Sequence, residues 1–208
     1  MKAPISSRRS FLGGISSLLA ISLFRREAKA ATITPSATEG PFYPTSSMRM
    51  KDVDNDLVKV EGLVKEAGGR VILLNGQITD QEGKPRAGVR IEIWQCDVNG
   101  KYLHPGDNRN VDYDTGFQGF GYDITGEDGR YSFRTIEPGK YPGRTPHIHV
   151  KVFDGEKELL TTQFYVAGDP GNKNDSLFRR MSPEQAKSVS MRYTENGDGK
   201  TATVNIRV

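Results

Sequence analysis

The sequence predicts an all-β fold, a single-domain β-sandwich with long loops and one short C-terminal helix. Short runs of alternating apolar and polar residues recur along the chain, and Gly- and Pro-marked turns bound each run, as expected for β-strands. One short stretch near the C-terminus carries the signals of a helix start. Many short strands, frequent turns and little helix are typical of a sandwich.

Six strands and one helix are predicted. The run 89–94 alternates strictly, with apolar side chains toward the core and charged ones outward. The other predicted strands cover 70–78, 131–136, 147–153, 160–166 and 201–208. Ser182, Pro183 and Gln185 form the N-cap, first-turn proline and capping-box pattern of a helix start. Residues 95–121 are predicted to form a long irregular loop, where functional side chains concentrate.

Residues 1–30 are predicted to be an export signal, and 31–208 the folded domain. Arg8 and Arg9 precede a short, mildly apolar run, and a small-x-small cleavage site follows at 28–30, a pattern that resembles twin-arginine signals. An ordinary secretory signal or a membrane anchor is the alternative. The apolar run is too short and too rich in Gly and Ser for a spanning helix, so we expect a periplasmic or secreted protein without stable membrane insertion after signal removal.

The basic character of the whole chain belongs to its leader. The sequence has 29 basic and 26 acidic residues, and residues 1–30 hold six and one of them. The remaining 178 residues therefore carry 23 basic and 25 acidic residues, a net charge of −2. This balance excludes a basic nucleic-acid footprint. The single cysteine, Cys96, excludes an internal disulfide and is predicted to be a buried thiol.

Two of the three histidines, His147 and His149, lie on the predicted strand 147–153. Side chains two positions apart on a strand point to the same face. Both imidazoles are therefore expected to project together, while Ile148, Val150 and Val152 face the core. Spacing alone leaves an ordinary histidine pair open as the alternative to a metal site.

Two tyrosines add oxygen donors to this pair. Tyr102 comes from the long loop, and Tyr141 stands six positions before His147; each taken singly is more often a packed aromatic. A phenol ionises near pH 10, and holding it as phenolate near neutral pH costs roughly 4 kcal/mol. A hard trivalent cation such as Fe(III) offsets that cost, whereas zinc usually binds His, Cys or carboxylate. The four residues together predict a metal site formed by the loops.

Five motifs resemble one family, the intradiol ring-cleavage dioxygenases, and in particular chains of the protocatechuate 3,4-dioxygenase type. The motifs are GVRIEIWQ at 88–95, NGKY at 99–102, GRYSFRTIEPGKY at 129–141, PHIH at 146–149 and TQFYVAGDP at 162–170. The resemblance implies a non-haem Fe(III) held by Tyr102 and His147 as equatorial ligands and by Tyr141 and His149 as axial ones. It also implies that O2 cleaves a catechol-type ring between the two hydroxyl-bearing carbons to give a muconate-type diacid.

The resemblance further implies catalytic roles for three residues. Tyr141 would be displaced by the catechol and carry off a proton, Arg144 would stabilise negative charge on the substrate, and Gln163 is a polar residue near the substrate. A surface charge on a Pro-rich loop is the alternative for Arg144. Gly143 stands where protocatechuate enzymes carry a tryptophan, and the segment before His147 is shorter, so the favoured catechol does not follow from the resemblance.

Two other classes explain parts of the sequence. Residues 125–141 also resemble non-catalytic β-sandwich modules, which would make the protein an exported structural or carbohydrate-binding module. A cupin-like or zinc hydrolase site would need a third imidazole or carboxylate, and only His104 is available. The expected partners are a small catechol-type substrate and O2. No nucleic-acid partner is expected, and the sequence is compatible with a homo-oligomer. Phe42 and Tyr43, in the Pro-rich segment 34–44, are predicted to pack onto the body, with a place in the pocket left open.

Overall fold

The computed structural model describes residues 32–197 and 199–208, and the predicted leader lies outside this range. Within it the chain forms nine strands: β1 (Val71–Thr79), β2 (Arg90–Trp94), β3 (Phe120–Ile124), β4 (Arg130–Ile136), β5 (His147–Asp154), β6 (Lys157–Val166), β7 (Ser190–Asn196), β8 (Gly199–Thr203) and β9 (Ile206–Arg207). One α-helix, α1 (Pro183–Ser188), precedes β7. Short 3-10 turns lie at Ser46–Met48, Pro170–Lys173 and Phe178–Arg180.

Hydrogen bonds join eight of these strands in one path, in the order β3-β2-β5-β6-β7-β8-β1-β4, and β9 pairs with β1. The two end strands, β3 and β4, follow each other in the chain, and Ser132 N on β4 donates to the Asp123 side chain on β3 at 2.8 Å. The strands therefore form a nearly closed sheet. The predicted all-β class is confirmed.

Two strands lie where the sequence pattern predicted none. β3 begins in the last two residues of the predicted loop 95–121, extends beyond it to Ile124, and pairs with β2, with Phe120 opposite Trp94. Glycines at 119 and 121 interrupt the hydrophobic pattern there, so backbone pairing rather than side-chain alternation identifies the strand. β7 buries Met191 but leaves most of its polar side chains in solvent. Its sequence therefore resembles that of a loop, and the pattern did not predict a strand.

The predicted final strand, 201–208, is two strands. β8 and β9 both run beside β1, and between them Asn205 Oδ1 accepts a hydrogen bond from Gln77 N at 3.0 Å. A Cβ on Gly76 would lie 1.7 Å from the Val204 carbonyl oxygen, so a glycine is required where these backbones meet. The Asn205 side chain thus replaces a backbone partner of β1 between the two strands. The alternation of residues along one strand cannot predict such a break.

The predicted helix start is confirmed at α1. Ser182 Oγ accepts from Gln185 N at 3.2 Å, and Gln185 Oε1 accepts from Ser182 N at 2.9 Å, which completes the capping box. Pro183 occupies the first turn, where its missing N–H costs nothing. Across residues 32–197 and 199–208, no helix combines the length and the apolar character that crossing a membrane requires.

β5 separates the main core from a second buried region. Ile148, Val150 and Val152 are fully buried in the main core, as the alternation predicted. His147 and His149 project from the opposite face and are 1% and 2% exposed. Both faces of β5 are therefore covered, and the histidines lie in the interior.

The end of β2 lies in the same second region. Cys96 is fully buried, as predicted, and packs near Trp94, and its Sγ donates to Gly139 O at 3.3 Å. The prediction that charged residues of β2 face solvent is wrong for Glu92, which is 4% exposed. Its carboxylate accepts a hydrogen bond from Tyr43 Oη at 2.7 Å, because the N-terminal segment covers this part of the strand.

Candidate metal centre and active site

Strand register aligns the candidate site across three strands. On β5, His149 lies opposite Trp94 of β2 and opposite Gln163 of β6. His147 lies opposite Tyr165 of β6. Residues directly opposite each other on neighbouring strands project from the same face. Pairing alone therefore gathers these five side chains on one side of the sheet, behind the main core.

The His147 imidazole is held in one tautomer. Its Nδ1 lies 2.7 Å from the Thr145 carbonyl oxygen, which can only accept, so Nδ1 carries the proton. Nε2 is then unprotonated and faces Nε2 of His149 at 3.1 Å. Burial, with a smaller contribution from the Arg144 cation, lowers the pKa of His147 to about 4. The imidazole is neutral at pH 7 and presents a lone pair to the site.

His149 is fixed by stacking and by a glycine. Its ring stacks on Trp94 with centroids 4.8 Å apart at 13°. On its other side a Cβ on Gly40 would lie 3.2 Å from His149 Cε1, and Gly40 has a φ of +77°, which disfavours other residues. Burial, reinforced by His147 and Arg144, lowers the pKa of His149 well below its ordinary value. The second imidazole is therefore neutral as well.

Tyr141 approaches the pair from the loop after β4. Its Oη lies 3.3 Å from His147 Nε2. The chain turns directly after it at Pro142 and Gly143, with Gly143 at φ +83° and Arg144 N donating back to Tyr141 O at 3.4 Å, the residue pattern of a type II turn. Burial raises the pKa of Tyr141, and the Arg144 guanidinium opposes part of that rise.

Tyr102 reaches the same point from the loop after β2. Its ring centroid lies 5.7 Å from that of Tyr141 and 6.1 Å from that of His149. Gly100 sets this approach, because a Cβ there would lie 2.3 Å from the Lys140 carbonyl oxygen. Burial raises the pKa of Tyr102 well above its ordinary value. By distance and angle its buried Oη makes no hydrogen bond to a described residue, and the nearby Tyr141 hydroxyl adds to the rise of its pKa.

The donor set fits a hard metal cation. The structure brings together all four predicted ligands, Tyr102, Tyr141, His147 and His149. Two neutral imidazole nitrogens face each other, and a buried phenol oxygen lacks a partner, which is costly unless a further group satisfies it. A cation between these atoms would satisfy all of them, and its charge would favour the ionised phenols.

A zinc site of the ordinary kind does not fit. In the described ranges, no cluster of three or more His, Cys, Asp or Glu is placed to hold a metal. His104, the third imidazole considered from the sequence, accepts a hydrogen bond from Gly106 N through its Nδ1 at 2.9 Å. The oxygen donors that lie beside the histidine pair are the phenols of Tyr102 and Tyr141.

Arg144 lies beside the donor set and is held by two side chains. Its Nε donates to Asp175 Oδ2 at 2.8 Å and its Nη2 to Gln163 Oε1 at 2.6 Å. Its Nη1 lies 3.4 Å from His147 Nε2, so a fixed cation faces the site. Burial alone raises the pKa of Asp175, but hydrogen bonds from Arg144 and the backbone outweigh it and hold the pKa below its ordinary value.

Gln163 acts on Arg144 in this geometry. Its Nε2 donates to the Thr38 carbonyl oxygen at 2.9 Å, which directs its Oε1 toward Arg144. Tyr165 Oη donates to the same Oε1 at 3.0 Å. The amide thus has a single hydrogen-bonded orientation, and it positions the guanidinium.

Comparison with known proteins identifies the family. A family model described as "Dioxygenase" matches residues 38–207. The chain belongs to the intradiol ring-cleavage dioxygenase family. The chain is 36% identical over 158 residues to a protocatechuate 3,4-dioxygenase beta chain of Burkholderia cepacia, covering 70% of this chain and 67% of that one. It is 28% identical to a catechol 1,2-dioxygenase of Candida albicans, over 73% of this chain and 53% of that one.

The chain spans two thirds of the first of these dioxygenases and about half of the second. Among solved structures, it is similar to the dioxygenase domain of a dioxygenase and carbohydrate-binding protein fusion from Streptomyces sp. SirexAA-E. That match has a TM-score of 0.63 and 32% identity, and it covers 85% of this chain and 98% of that one. The dioxygenase fold therefore accounts for the described part of the chain.

The sequence pattern did not reveal the residue that anchors Arg144 in this family member. Asp175 Oδ2 accepts from both Arg144 Nε and Thr145 N, at 2.8 and 3.1 Å. Its Oδ1 accepts from the backbone N–H groups of Leu177 and Phe178 at 3.0 and 3.1 Å. The available signal was an aspartate closing a Gly- and Asn-rich loop, but that pattern is typical of many turns.

The N-terminal segment of this chain covers the site from one side. Phe42 stacks on Tyr102 with centroids 4.7 Å apart and approaches His104 at 5.7 Å. Tyr43 packs edge-on against Trp94 at 4.9 Å. An ion pair between Glu39 and Lys151 ties the segment to β5. The prediction that this segment packs onto the body is confirmed, and Phe42 covers the Tyr102 ring.

Proposed function

We propose that this protein is a non-haem Fe(III) dioxygenase that uses O2 to cleave a catechol-type ring between its two hydroxyl-bearing carbons. The observation that carries the proposal is that Tyr141 Oη and His149 Nε2 both lie close to His147 Nε2, at 3.3 and 3.1 Å, beside Tyr102 and a fixed Arg144. The protocatechuate and catechol dioxygenases named above support the reaction class. Family membership shows the fold; the roles of these side chains are our inference.

Fe(III) suits the four donors better than a divalent ion. In the proposed site Tyr102, Tyr141, His147 and His149 are the ligands. Both imidazoles are neutral, and both phenols need a strong local charge to ionise, because burial raises the pKa of each. When bound, Fe(III) supplies the positive charge that ionises phenols and the redox capacity that makes a coordinated catecholate reactive toward O2.

Three side chains would act on the substrate. Tyr141 is the more exposed of the two phenols, and once ionised by the metal its Oη would accept a proton from a catechol hydroxyl. Arg144 Nη1, which already faces the histidine pair, stabilises negative charge that develops on the substrate. Gln163 contributes to this stabilisation indirectly, because its hydrogen bond holds the Arg144 guanidinium in place. In the overall reaction both atoms of O2 enter the two new carboxyl groups of a muconate-type diacid, so no external reductant is consumed.

The test is to load the purified protein with iron and follow colour, oxygen and product together. We expect a wine-red protein with a broad visible band, and oxygen uptake with catechol, protocatechuate or hydroxyquinol that matches the ring-opened diacid formed. A colourless preparation from iron-sufficient cells would instead favour a non-catalytic module. Oxygen uptake without ring-opened product would contradict the mechanism.

We also infer that the strands pack as a sandwich rather than a barrel. β6 and β7 pair at two positions only, Tyr165 with Ser190 and Val166 with Met191, within the described part of the chain. The path therefore divides there into two groups of four strands. The main core combines residues of both groups, such as Leu74 and Ile93.

Export is the last part of the proposal. The paired Arg8 and Arg9 and the small residues at 28–30 support a twin-arginine-type signal. We expect the protein expressed from the full sequence to reach the periplasmic or extracellular fraction with residues 1–30 removed, and the double substitution Arg8→Lys and Arg9→Lys to leave it inside the cell. Export of that variant at the wild-type level would contradict a twin-arginine route.

A further inference from the structure

A cavity of about 460 Å³ opens beside the candidate site. The turn after β4 forms one wall and the loop after β6, from Gly171 to Asp175, forms the other. Tyr141 and Arg144 line it, and both also contact His147. The cavity and the site therefore share two side chains, and a molecule held at the site has direct access to the cavity.

The cavity is larger than one aromatic ring requires. Its volume falls in the range of pockets that hold drug-sized ligands, roughly 300–1,000 Å³. Gly143 lines the cavity without a side chain, and its φ of +83° disfavours a bulky residue there. A substrate with a substituent beyond the ring would fill space that a bare catechol leaves to water.

One cationic side chain that lines the cavity has no ion-pair partner among the described residues. The Asp175 carboxylate accepts hydrogen bonds from Arg144 and from three backbone N–H groups. Together Asp175 and Arg144 therefore contribute no net charge to the lining. Lys140 also lines the cavity and is exposed. Among the described residues, no carboxylate pairs with its ammonium group and no hydrogen bond holds it. The lining therefore carries a net positive charge at Lys140.

We propose that this cavity binds a ring substituent that ends in an anion, and that Lys140 selects for it. The preferred substrates are then catechols with a carboxylate on a short side chain. This inference rests on the proposed ring cleavage, because the dihydroxylated ring must sit at the Tyr141 and Arg144 side of the cavity. Lys140 is a specificity residue and takes no part in the chemistry.

The test compares 3-(3,4-dihydroxyphenyl)propanoate with its methyl ester, which has nearly the same shape and no charge. Calorimetric titration of the iron-loaded protein without oxygen gives each Kd independently of turnover, and kcat/KM is measured in air. For the wild-type protein we expect the acid to bind roughly 2- to 5-fold more tightly than the ester, the range of a partly exposed ion pair. Sodium chloride should reduce this ratio.

Three variants test whether the positive charge of Lys140, rather than a general change in the protein, determines the preference for the acid. Lys140→Gln should bring the acid-to-ester ratio of Kd and of kcat/KM to about one, with the ester unchanged, and Lys140→Arg should keep the wild-type ratio. Lys157→Gln, at the far end of the β5–β6 hairpin, makes the same charge change away from the cavity and should alter neither ligand.

An equal ratio in the wild type and in Lys140→Gln overturns this inference, even if both catechols are cleaved. Tight binding of the acid that depends on Lys140, without ring-opened product from either compound, supports the anion site and overturns the proposed function. The two failures are thus distinguishable in one set of measurements.

Discussion

Asp175 Oδ2 and Arg144 Nε lie 2.8 Å apart, and this pair joins two loops that are distant in sequence. The Asp175 side chain is completely buried, and that of Arg144 is 18% exposed. One carboxylate oxygen thus determines where the guanidinium lies relative to His147. Removing the charge of the carboxylate tests that relationship directly.

We expect Asp175→Asn to lower the free energy of unfolding by about 1–3 kcal/mol, because it leaves a mostly buried cation with a weaker partner. It should also lower kcat/KM by roughly 10- to 100-fold, the range for residues that orient a metal site or its neighbours. Urea unfolding and steady-state kinetics measure the two effects. Asp128→Asn, on an exposed turn, is the matched control. Unchanged kcat/KM would show that Arg144 is positioned without Asp175.

Tyr102→Phe tests the proposed phenolate ligand. The change removes one oxygen and keeps the ring that stacks on Phe42, so the fold should persist. We expect the visible band of the iron-loaded protein to weaken and kcat/KM to fall by more than about 100-fold, beyond the effect of residues outside the coordination shell. Tyr122→Phe on β3 should leave both unchanged. An unaltered spectrum would remove Tyr102 from the ligand set.

Asp107 should make stability depend on acid pH. Burial alone raises the pKa of its carboxyl, but hydrogen bonds from Arg109 and from backbone N–H groups, that of Tyr102 included, bring the pKa down to about 2. The folded pKa is below the ordinary value of about 3.8, so the carboxylate stabilises the fold above pH 3.8, and this contribution of about 2 kcal/mol disappears as the pH falls toward 2.

Urea unfolding between pH 5 and pH 2.5 measures this contribution. Asp107→Asn should be less stable than wild type at pH 5, and the difference should shrink as the pH falls. Asp128→Asn again provides the control, with a profile parallel to that of the wild type. A constant difference between Asp107→Asn and wild type across this range would show that the carboxylate does not titrate as described.

Cys96 should be inert in the folded protein. Burial, with a smaller effect of the nearby Asp97 carboxylate, raises the pKa of the thiol to about 12. At pH 8 the reactive thiolate is then about one part in ten thousand. We expect no modification by iodoacetamide in the native state and complete modification in urea, measured by intact-mass spectrometry. Rapid native modification would mean that the region around Trp94 opens.

The local part of the site was predictable from sequence, because strand alternation involves only neighbours. His147 and His149 on one face, and Val150 on the other, follow from a period of two. Tyr102 was a candidate because it lies in a long loop, but only the family resemblance gave it a ligand position, since nothing in its own loop indicates that it reaches β5. The contact of Phe42 with Tyr102 was left open for the same reason.

The supporting contacts were not predictable, because they join distant parts of the chain. Thr38 O and Gln163 Nε2 meet across 125 positions, and Arg144 and Asp175 across 31. Each is set by strand register and loop closure together. The sequence pattern also placed Glu92 in solvent, since the segment that covers it begins about fifty residues earlier and shows no periodicity.

The N-terminal segment is fixed to the last strand: Thr34 N donates to Arg207 O at 3.1 Å, and Thr34 Oγ1 accepts from Arg207 N at 2.8 Å. The segment that carries Gly40 and Phe42 toward the histidine pair can therefore dock fully only after residue 207 has left the ribosome. The last clamp on this segment therefore forms late in biosynthesis. A nascent chain truncated before β9 would lack that clamp, however well its central strands had formed.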